Sequence, residues 1–281
     1  MRALKGNLSI YTMGPAARKE ADLELLNVTL RFGGITALQR VVFSLKQGEL
    51  VGLIGPNGAG KTSLVNCLTG FSRPQEGRIL FNGQDLHHLP PHKIAEMGIA
   101  RTFQETRLHS RNSVLCSILS ARHIYGRYLL RQAFFFAKSV KREEAYHLRI
   151  VEELLDFLGL QAYRKTAVRD LPTFLKKRIE LARALAMQPK LLVLDEPFSG
   201  LFPSEKDFIG HVLRDLNHIW GQTILLVEND MNRVFELAER VVVLDFGAKL
   251  AEGAPEFIQN HPRVLDSYFG RSEPLSAHFP A

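Results

Sequence analysis

The sequence predicts an α/β fold built on a mainly parallel β-sheet. Short apolar runs suited to buried strands recur along the 281-residue chain, at 50–54, 191–194, 223–227 and 241–244. Between them lie stretches whose apolar residues recur every three or four positions, as in amphipathic helices. This alternation of strands and helices is typical of a sheet whose parallel strands are joined by helical crossovers.

The composition is that of a globular protein. Hydrophobic residues make up 46% and charged residues 23% of the chain, close to the averages for soluble domains. These values exclude disordered, collagen-like and coiled-coil chains, and no apolar run reaches the ~18 residues that span a bilayer. The net charge of +7 permits nucleic acid, an anionic membrane or phosphate ligands as partners. Cys67 and Cys116 match no metal-ligand or redox pattern and are expected to be buried.

The first half of the chain divides into an extension, strands and the start of a helical region. Residues 1–21 show no clean periodicity and are expected to form a loose extension, with Met13 as an alternative start. Partial alternation predicts strands at 23–30 and 41–45. The unbroken apolar run at 50–54 predicts a central strand that is covered on both faces.

The second half alternates helices with apolar strands and ends in a polar tail. Residues 105–170 are expected to be mostly helical, and two more helices are expected near 175–185 and 208–219. Residues 271–281, rich in Ser and Pro, are expected to be disordered. The predicted apolar faces of the three helices consist of Leu148, Val151, Leu155 and Leu158; of Leu175, Ile179, Ala182 and Leu185; and of Phe208, Val212, Leu216 and Ile219.

A phosphate-binding motif follows the strand predicted at 50–54. Residues 55–62 match G-x-x-x-x-G-K-[ST] without a departure, and a predicted helix begins near Lys61. In such a loop, backbone N–H groups and the helix N-terminus point at phosphate oxygens. Lys61 is expected to contact the β- and γ-phosphates, and Thr62 to ligate Mg²⁺. The predicted nucleotide-binding residues are Gly55, Pro56, Asn57, Gly58, Ala59, Gly60, Lys61, Thr62 and Ser63.

Two acidic residues follow the strand predicted at 191–194. Asp195 and Glu196 stand 134 and 135 positions after Lys61. The carboxyl end of a parallel strand is where ligands bind in such sheets. Asp195 is expected to hold Mg²⁺ through water, and Glu196 to act as a general base toward an attacking water. Together with the phosphate loop, the two acids predict a nucleoside triphosphatase.

On these motifs and others, residues 22–270 resemble the ATP-binding subunits of ABC transporters, most closely the branched-chain amino acid (LivG-type) group. The segment 31–34 resembles the one whose aromatic residue, here Phe32, stacks on adenine. The segment 101–104 resembles the Q-loop, which implies that Gln104 contacts Mg²⁺ and communicates with the membrane subunits. The resemblance implies a P-loop NTPase fold of the ABC type, with an antiparallel β subdomain and a helical subdomain at about 105–170.

Three departures from the family pattern stand out. The signature segment, L-S-G-G-Q or L-S-Y-G-Q in the family, is LPTFL at 171–175. Pro172 offers neither a hydroxyl nor an N–H, and Phe174 places a ring where glycine allows close backbone approach. Asn229 replaces the switch histidine, so its amide can donate a hydrogen bond but cannot carry a proton. Phe202 replaces the polar residue that links the two sites of a dimer.

These departures affect the expected rate more than the expected binding. Loss of one donor to the transferring phosphate can cost about 10²–10³ in rate. We therefore expect Mg-ATP to bind and turnover to be slow or dependent on a partner. The resemblance implies Glu196, Gln104 and Asn229 as the catalytic residues, and Thr62, Gln104 and Asp195 as the residues that hold the metal.

The resemblance also implies a function and a set of partners. The expected function is ATP-driven import of branched-chain or related amino acids at the cytoplasmic face of the inner membrane, where the chain is a peripheral subunit. The expected partners are transmembrane permease subunits, a second ATP-binding subunit and, indirectly, a solute-binding protein. A homodimer would carry two lesions at each nucleotide, so the departures favour a heterodimer with an intact subunit.

Two alternatives to this function remain open. The chain could be an ATP-binding but catalytically impaired regulatory subunit, paired with an active ATPase, because the signature, the 199–202 loop and the switch position are all altered. Nucleic-acid binding, as in repair ATPases of this fold, rests on the positive charge alone and is not expected.

Overall fold

The computed structural model of the chain describes residues 22–102, 111–125 and 137–269. The expected loose extension at 1–21 and the expected disordered tail at 271–281 lie outside these residues. The strands are β1 (Leu23–Phe32), β2 (Ile35–Leu45), β3 (Leu50–Ile54), β4 (Glu76–Phe81), β5 (Gln84–Asp85), β6 (Ile99–Thr102), β7 (Leu191–Asp195), β8 (Thr223–Val227), β9 (Arg240–Asp245) and β10 (Ala248–Gly253). The helices are α1 (Lys61–Leu68), α2 (Pro91–Glu96), α3 (Val114–Ser120), α4 (Ala137–Phe157), α5 (Thr173–Ala186), α6 (Pro203–His218), α7 (Met231–Leu237), α8 (Pro255–Gln259) and α9 (Pro262–Phe269).

The strands form two sheets, as the resemblance to the ABC family implies. The larger sheet has the order β10-β9-β3-β8-β7-β6, and its strands run parallel except for β10, which pairs antiparallel with β9. The smaller sheet has the order β2-β1-β4-β5 and is antiparallel throughout. The mainly parallel core and the antiparallel β subdomain are therefore confirmed.

Two hydrophobic clusters hold these layers together. One lies between the large sheet and the small sheet and includes the buried face of α1. The other lies on the opposite face of the large sheet, where α3, α4, α5 and α6 pack. Every residue of β3, β7 and β8 is buried, because these central strands are covered on both faces. All three strands therefore end at the same edge of one rigid sheet.

Several detailed expectations are wrong. Leu148 and Ile219 are exposed, although Val151, Leu155 and Leu158 of the same expected face as Leu148 are buried. Ile219 lies at the C-cap of α6, where the helical periodicity ends.

Cys116 is also exposed, because it lies on the outer face of α3, whereas Cys67 is buried as expected. Burial raises the pKa of the Cys67 thiol to about 12, so it behaves as an apolar side chain. In the region expected to be mostly helical, the described residues form α3, α4 and three short 3₁₀ turns. None of the helices in the described ranges is both long enough and apolar enough to cross a membrane.

Candidate functional site

The predicted phosphate loop connects β3 to α1 and needs glycine at two of its positions. A Cβ at Gly55 would lie 2.3 Å from the carbonyl oxygen of Leu244, on the neighbouring strand β9. Gly60 has a φ of +101°, and a Cβ there would lie 2.7 Å from the carbonyl oxygen of Ala37. Any other residue at these positions would move the loop away from the small sheet or from β9.

Lys61 is the first residue of α1 and is buried at the centre of the loop. Its ammonium donates hydrogen bonds to the carbonyl oxygens of Gly55, at 2.6 Å, and Pro56, at 3.0 Å. Burial lowers the pKa of Lys61, and the nearby carboxylates, of which Glu196 has the largest effect, oppose this shift. The loop therefore carries a cation at the place where phosphate oxygens would enter. Thr62 follows it and is exposed, and Ser63 is half-buried.

Asp195 closes β7 at the same edge of the sheet. Its side chain is 1% exposed, and its Oδ2 accepts a hydrogen bond of 2.8 Å from Arg101 Nη2. The backbone N–H of Asp195 donates to Thr102 Oγ1 at 3.3 Å, on the adjacent strand β6. The carboxylate is therefore fixed from one side by strand β6, which precedes the segment containing Gln104. Gln104 itself lies outside the described residues.

Glu196 is held by hydrogen bonds to both its side chain and its backbone. It follows β7 with a φ of +49°, in the left-handed region that costs a non-glycine residue about 1–2 kcal/mol. The Asn229 amide donates to Glu196 Oε1 at 2.8 Å, and the Lys177 ammonium donates to the Glu196 carbonyl oxygen at 2.9 Å. The structure thus brings together Glu196 and Asn229, which stand 33 positions apart in the sequence.

Glu228 is a site residue that the sequence reasoning missed. It is 2% exposed and accepts hydrogen bonds from the backbone N–H groups of Phe198, at 2.8 Å, and Asn229, at 3.1 Å. Burial raises its pKa to about 7, although these hydrogen bonds favour the carboxylate. Its position directly after the apolar run 223–227, like that of Asp195 after 191–194, is the signal that could have found it.

The altered signature segment is an ordered helix start. Pro172 is the N-cap of α5, with extended backbone at φ −67° and ψ 162°. Phe174 is partly buried, and the Arg178 guanidinium lies 5.2 Å from the centre of its ring and 3.6 Å from the centre of the Phe208 ring. This stack places a bulky aromatic and a cation on the face of α5 where the family pattern has glycine. Thr173 is exposed beside it.

Two further aromatic candidates lie on the surface. Phe202 is 74% exposed at the N-cap of α6, and its backbone N–H donates to Glu205 Oε2 at 2.9 Å. Phe32 is 54% exposed at the end of β1, next to the turn into β2. Exposed rings of this size are available for contact with a planar ligand or another chain.

Comparison with known proteins shows extensive similarity. A family model described as ABC transporter matches residues 38–199, and one described as branched-chain amino acid ATP-binding cassette transporter matches residues 248–274. The chain is 38% identical over 250 residues to the high-affinity branched-chain amino acid transport ATP-binding protein LivG of Escherichia coli, and 35% identical to BraF of Pseudomonas aeruginosa. Each alignment covers 89% of this chain and 98% of the relative.

Solved structures show the same similarity. An ATP-binding cassette of an ABC transporter in its ADP conformation is 30% identical and has a TM-score of 0.76, with 90% of this chain and all of that chain covered. A nucleotide-free ATP-binding cassette from an ABC transporter is 28% identical, with a TM-score of 0.74 and the same coverage. The resemblance inferred from the motifs is thereby confirmed over nearly the whole described chain.

Proposed function

Because this chain belongs to the ABC transporter ATP-binding family and carries the branched-chain amino acid type of C-terminal segment, we propose that it is the ATP-binding subunit of an amino acid importer. The observation that carries the proposal is the placement of Lys61, Asp195 and Glu196 at one edge of a single parallel sheet. A cation inside a loop of backbone donors binds phosphates, and two acids beside it supply a metal contact and a base.

Residues 55–63 bind the phosphates of ATP, and Phe32 stacks on the adenine. The residues present suit Mg²⁺, because the Thr62 hydroxyl and the Asp195 carboxylate are hard oxygen donors. Within the described residues, no group of three or more His, Cys, Asp or Glu is arranged so that it could hold a metal ion. The remaining ligands would be phosphate and water oxygens and Gln104. When bound, Mg²⁺ neutralises charge on the transferring phosphate.

Glu196 acts as the general base for the attacking water. Asn229 donates to Glu196 Oε1 and so orients this carboxylate, but it cannot exchange a proton with the phosphate as a histidine can. Since Pro172 offers no hydrogen-bond donor to a nucleotide on the partner subunit and Phe174 replaces a glycine beside it, turnover is slow and depends on that partner. The contact of Phe174 with Arg178 supports this, because a ring stands at a position where the family pattern has no side chain.

The partners of the chain are transmembrane permease subunits and a second ATP-binding subunit with an intact signature. In a heterodimer, each bound nucleotide meets one altered motif, either the signature segment or the switch position. In a homodimer, each nucleotide meets both. The chain is peripheral on the cytoplasmic face of the inner membrane, and a solute-binding protein delivers the cargo from outside. Branched-chain or related amino acids are the cargo, as the names of the LivG and BraF relatives indicate.

A second candidate is a regulatory subunit that binds ATP and leaves hydrolysis to its partner. The observations that favour it are the replacement of the switch histidine by Asn229 and the exposed, apolar Phe202 where the family has a polar residue. The two candidates share ATP binding and differ in whether Glu196 acts as a base.

Phosphate release by the complex of this subunit with its permease and sister ATPase distinguishes the two candidates. Glu196→Gln removes the base and keeps the size of the side chain. Glu236→Gln, on the exposed face of α7, is the matched control. A fall in phosphate release with Glu196→Gln alone means that this subunit hydrolyses its own ATP. Unchanged release identifies the regulatory subunit, and absence of ATP-dependent amino acid uptake by the wild-type complex refutes the importer.

A further inference from the structure

Arg101 joins three elements of the proposed nucleotide site. It lies on β6, and its side chain is 8% exposed. Its Nη2 donates to Asp195 Oδ2 at 2.8 Å, at the end of β7. Its Nη1 donates to Asn66 Oδ1 at 2.7 Å and to Thr69 Oγ1 at 3.2 Å, at the C-terminal end of α1. The guanidinium therefore bridges the helix that begins with Lys61 and the strand that ends with the acid.

The Arg101 bridge fixes the distance between the Asp195 carboxylate and helix α1. The planar guanidinium holds its donors in a rigid fork, so the Asp195 carboxylate and the Asn66 amide cannot move independently. Thr69 is itself held, because its hydroxyl donates to the carbonyl oxygen of Val65 within α1, at 2.7 Å. Arg101 donates to Oδ2 of Asp195, and the other oxygen of that carboxylate, Oδ1, takes no part in this hydrogen bond. Burial of both side chains strengthens this interaction relative to one in water.

We propose that Arg101 is a positioning residue for Mg²⁺: it holds the Asp195 carboxylate against α1, so that this acid and Thr62 of the same helix face one cation. The inference rests on the proposed binding of Mg-ATP. Arg101 does not touch the cation; it acts on the residue that does, as outer-shell partners of metal ligands do. Loss of such partners typically costs 10- to 100-fold in metal affinity.

Two variants distinguish the role of the planar Arg101 guanidinium from that of its positive charge. Arg101→Lys keeps a cation and loses the planar fork of donors. Asn66→Ala keeps the Arg101–Asp195 ion pair and removes the shorter of its two links to α1, leaving the one to Thr69 Oγ1 at 3.2 Å. Because removal of one partner from a buried ion pair is strongly destabilising, Asn66→Ala also tests the proposal in a protein whose ion pair is intact. Arg78→Lys, in the exposed pair with Asp85, is the matched control.

The measurement is binding of a fluorescent ATP analogue to the purified full chain, titrated with Mg²⁺, and direct binding of Mn²⁺ followed by electron paramagnetic resonance. We expect the half-saturating Mg²⁺ concentration to rise about 10- to 100-fold in Arg101→Lys and about 3- to 10-fold in Asn66→Ala. Nucleotide binding without a divalent cation should change less than about twofold, because residues 55–61 are untouched. Thermal melting without ligand shows which variants are folded.

The outcomes are distinct. Unchanged Mg²⁺ dependence in folded Asn66→Ala and Arg101→Lys means that the bridge is only structural and overturns the inference. A lower half-saturating concentration means that Arg101 competes with the cation, which also overturns it. Wild-type binding that is independent of Mg²⁺ overturns the proposed metal site and the inference with it, and this result differs from the others because it requires no variant.

Discussion

Glu180 is a buried carboxyl whose ionisation the fold opposes, which makes the stability of the protein depend on pH. It lies on the inner face of α5 and is 6% exposed. Burial raises its pKa to about 7, and Lys177 and Arg183 only partly oppose the shift. The folded protein therefore favours the protonated carboxyl, whereas the unfolded chain has a carboxyl with an ordinary pKa near 4.5.

The sign and size of the effect follow from linkage. With the folded pKa above the unfolded one, the folded state binds more protons between these two values, so stability falls as the pH rises from about 4.5 to about 7. A difference of about 2.5 pKa units corresponds to about 3 kcal/mol. Glu180→Gln removes the ionisation and keeps the shape. We expect the variant to match the wild type at pH 4.5 and to be more stable by about 3 kcal/mol at pH 8.

The assay is thermal and urea unfolding of both proteins at half-unit steps from pH 4.5 to 8. A gain of 3 kcal/mol corresponds to about 6 to 12 °C in Tm for a chain of this size. Glu239→Gln, in the exposed bend between α7 and β9, controls for the amide itself. An equal difference between variant and wild type at pH 4.5 and pH 8, or a less stable variant at pH 8, would refute the reasoning.

Three further predictions concern the proposed site and its surroundings. Gly60→Ala should weaken binding of an ATP analogue by more than tenfold in a fluorescence titration, because its Cβ would meet the Ala37 carbonyl oxygen at 2.7 Å. Asn229→Ala removes the hydrogen bond to Glu196 Oε1 and should slow phosphate release at this subunit's own site roughly 10- to 100-fold, with ATP-analogue affinity unchanged. Arg178→Met removes the cation that contacts the rings of Phe174 and Phe208 and should cost about 1 to 2 kcal/mol in urea unfolding; no loss would show that these contacts contribute little.

The parts of the site that are local in sequence could be predicted from it. The loop at 55–62 and the acids after β7 follow from motif and context, since a phosphate loop needs a strand before it and a helix after it. Likewise, the apolar runs identify β3, β7 and β8, because strands covered on both faces have no polar alternation.

The parts that depend on contacts between distant residues could not be predicted. Arg101 and Asp195 are 94 positions apart, and nothing in either local sequence indicates that they form an ion pair. Strand β10 was missed because its residues are mostly half-buried and show little alternation. The wrong assignments of Leu148 and Cys116 have a related cause, since periodicity predicts which residues share a helix face but not which face meets the core.

The hydrogen bond from Lys177 to the Glu196 carbonyl oxygen joins α5 to the backbone of the proposed base. Lys177 lies about 7.5 Å along the helix axis from Pro172, in the altered segment. The carboxylate of Glu196 is held instead by Asn229, which stands just before α7. Two separate elements therefore anchor two different atoms of one residue, so a change at 172–174 and a change at 229 reach Glu196 by different routes.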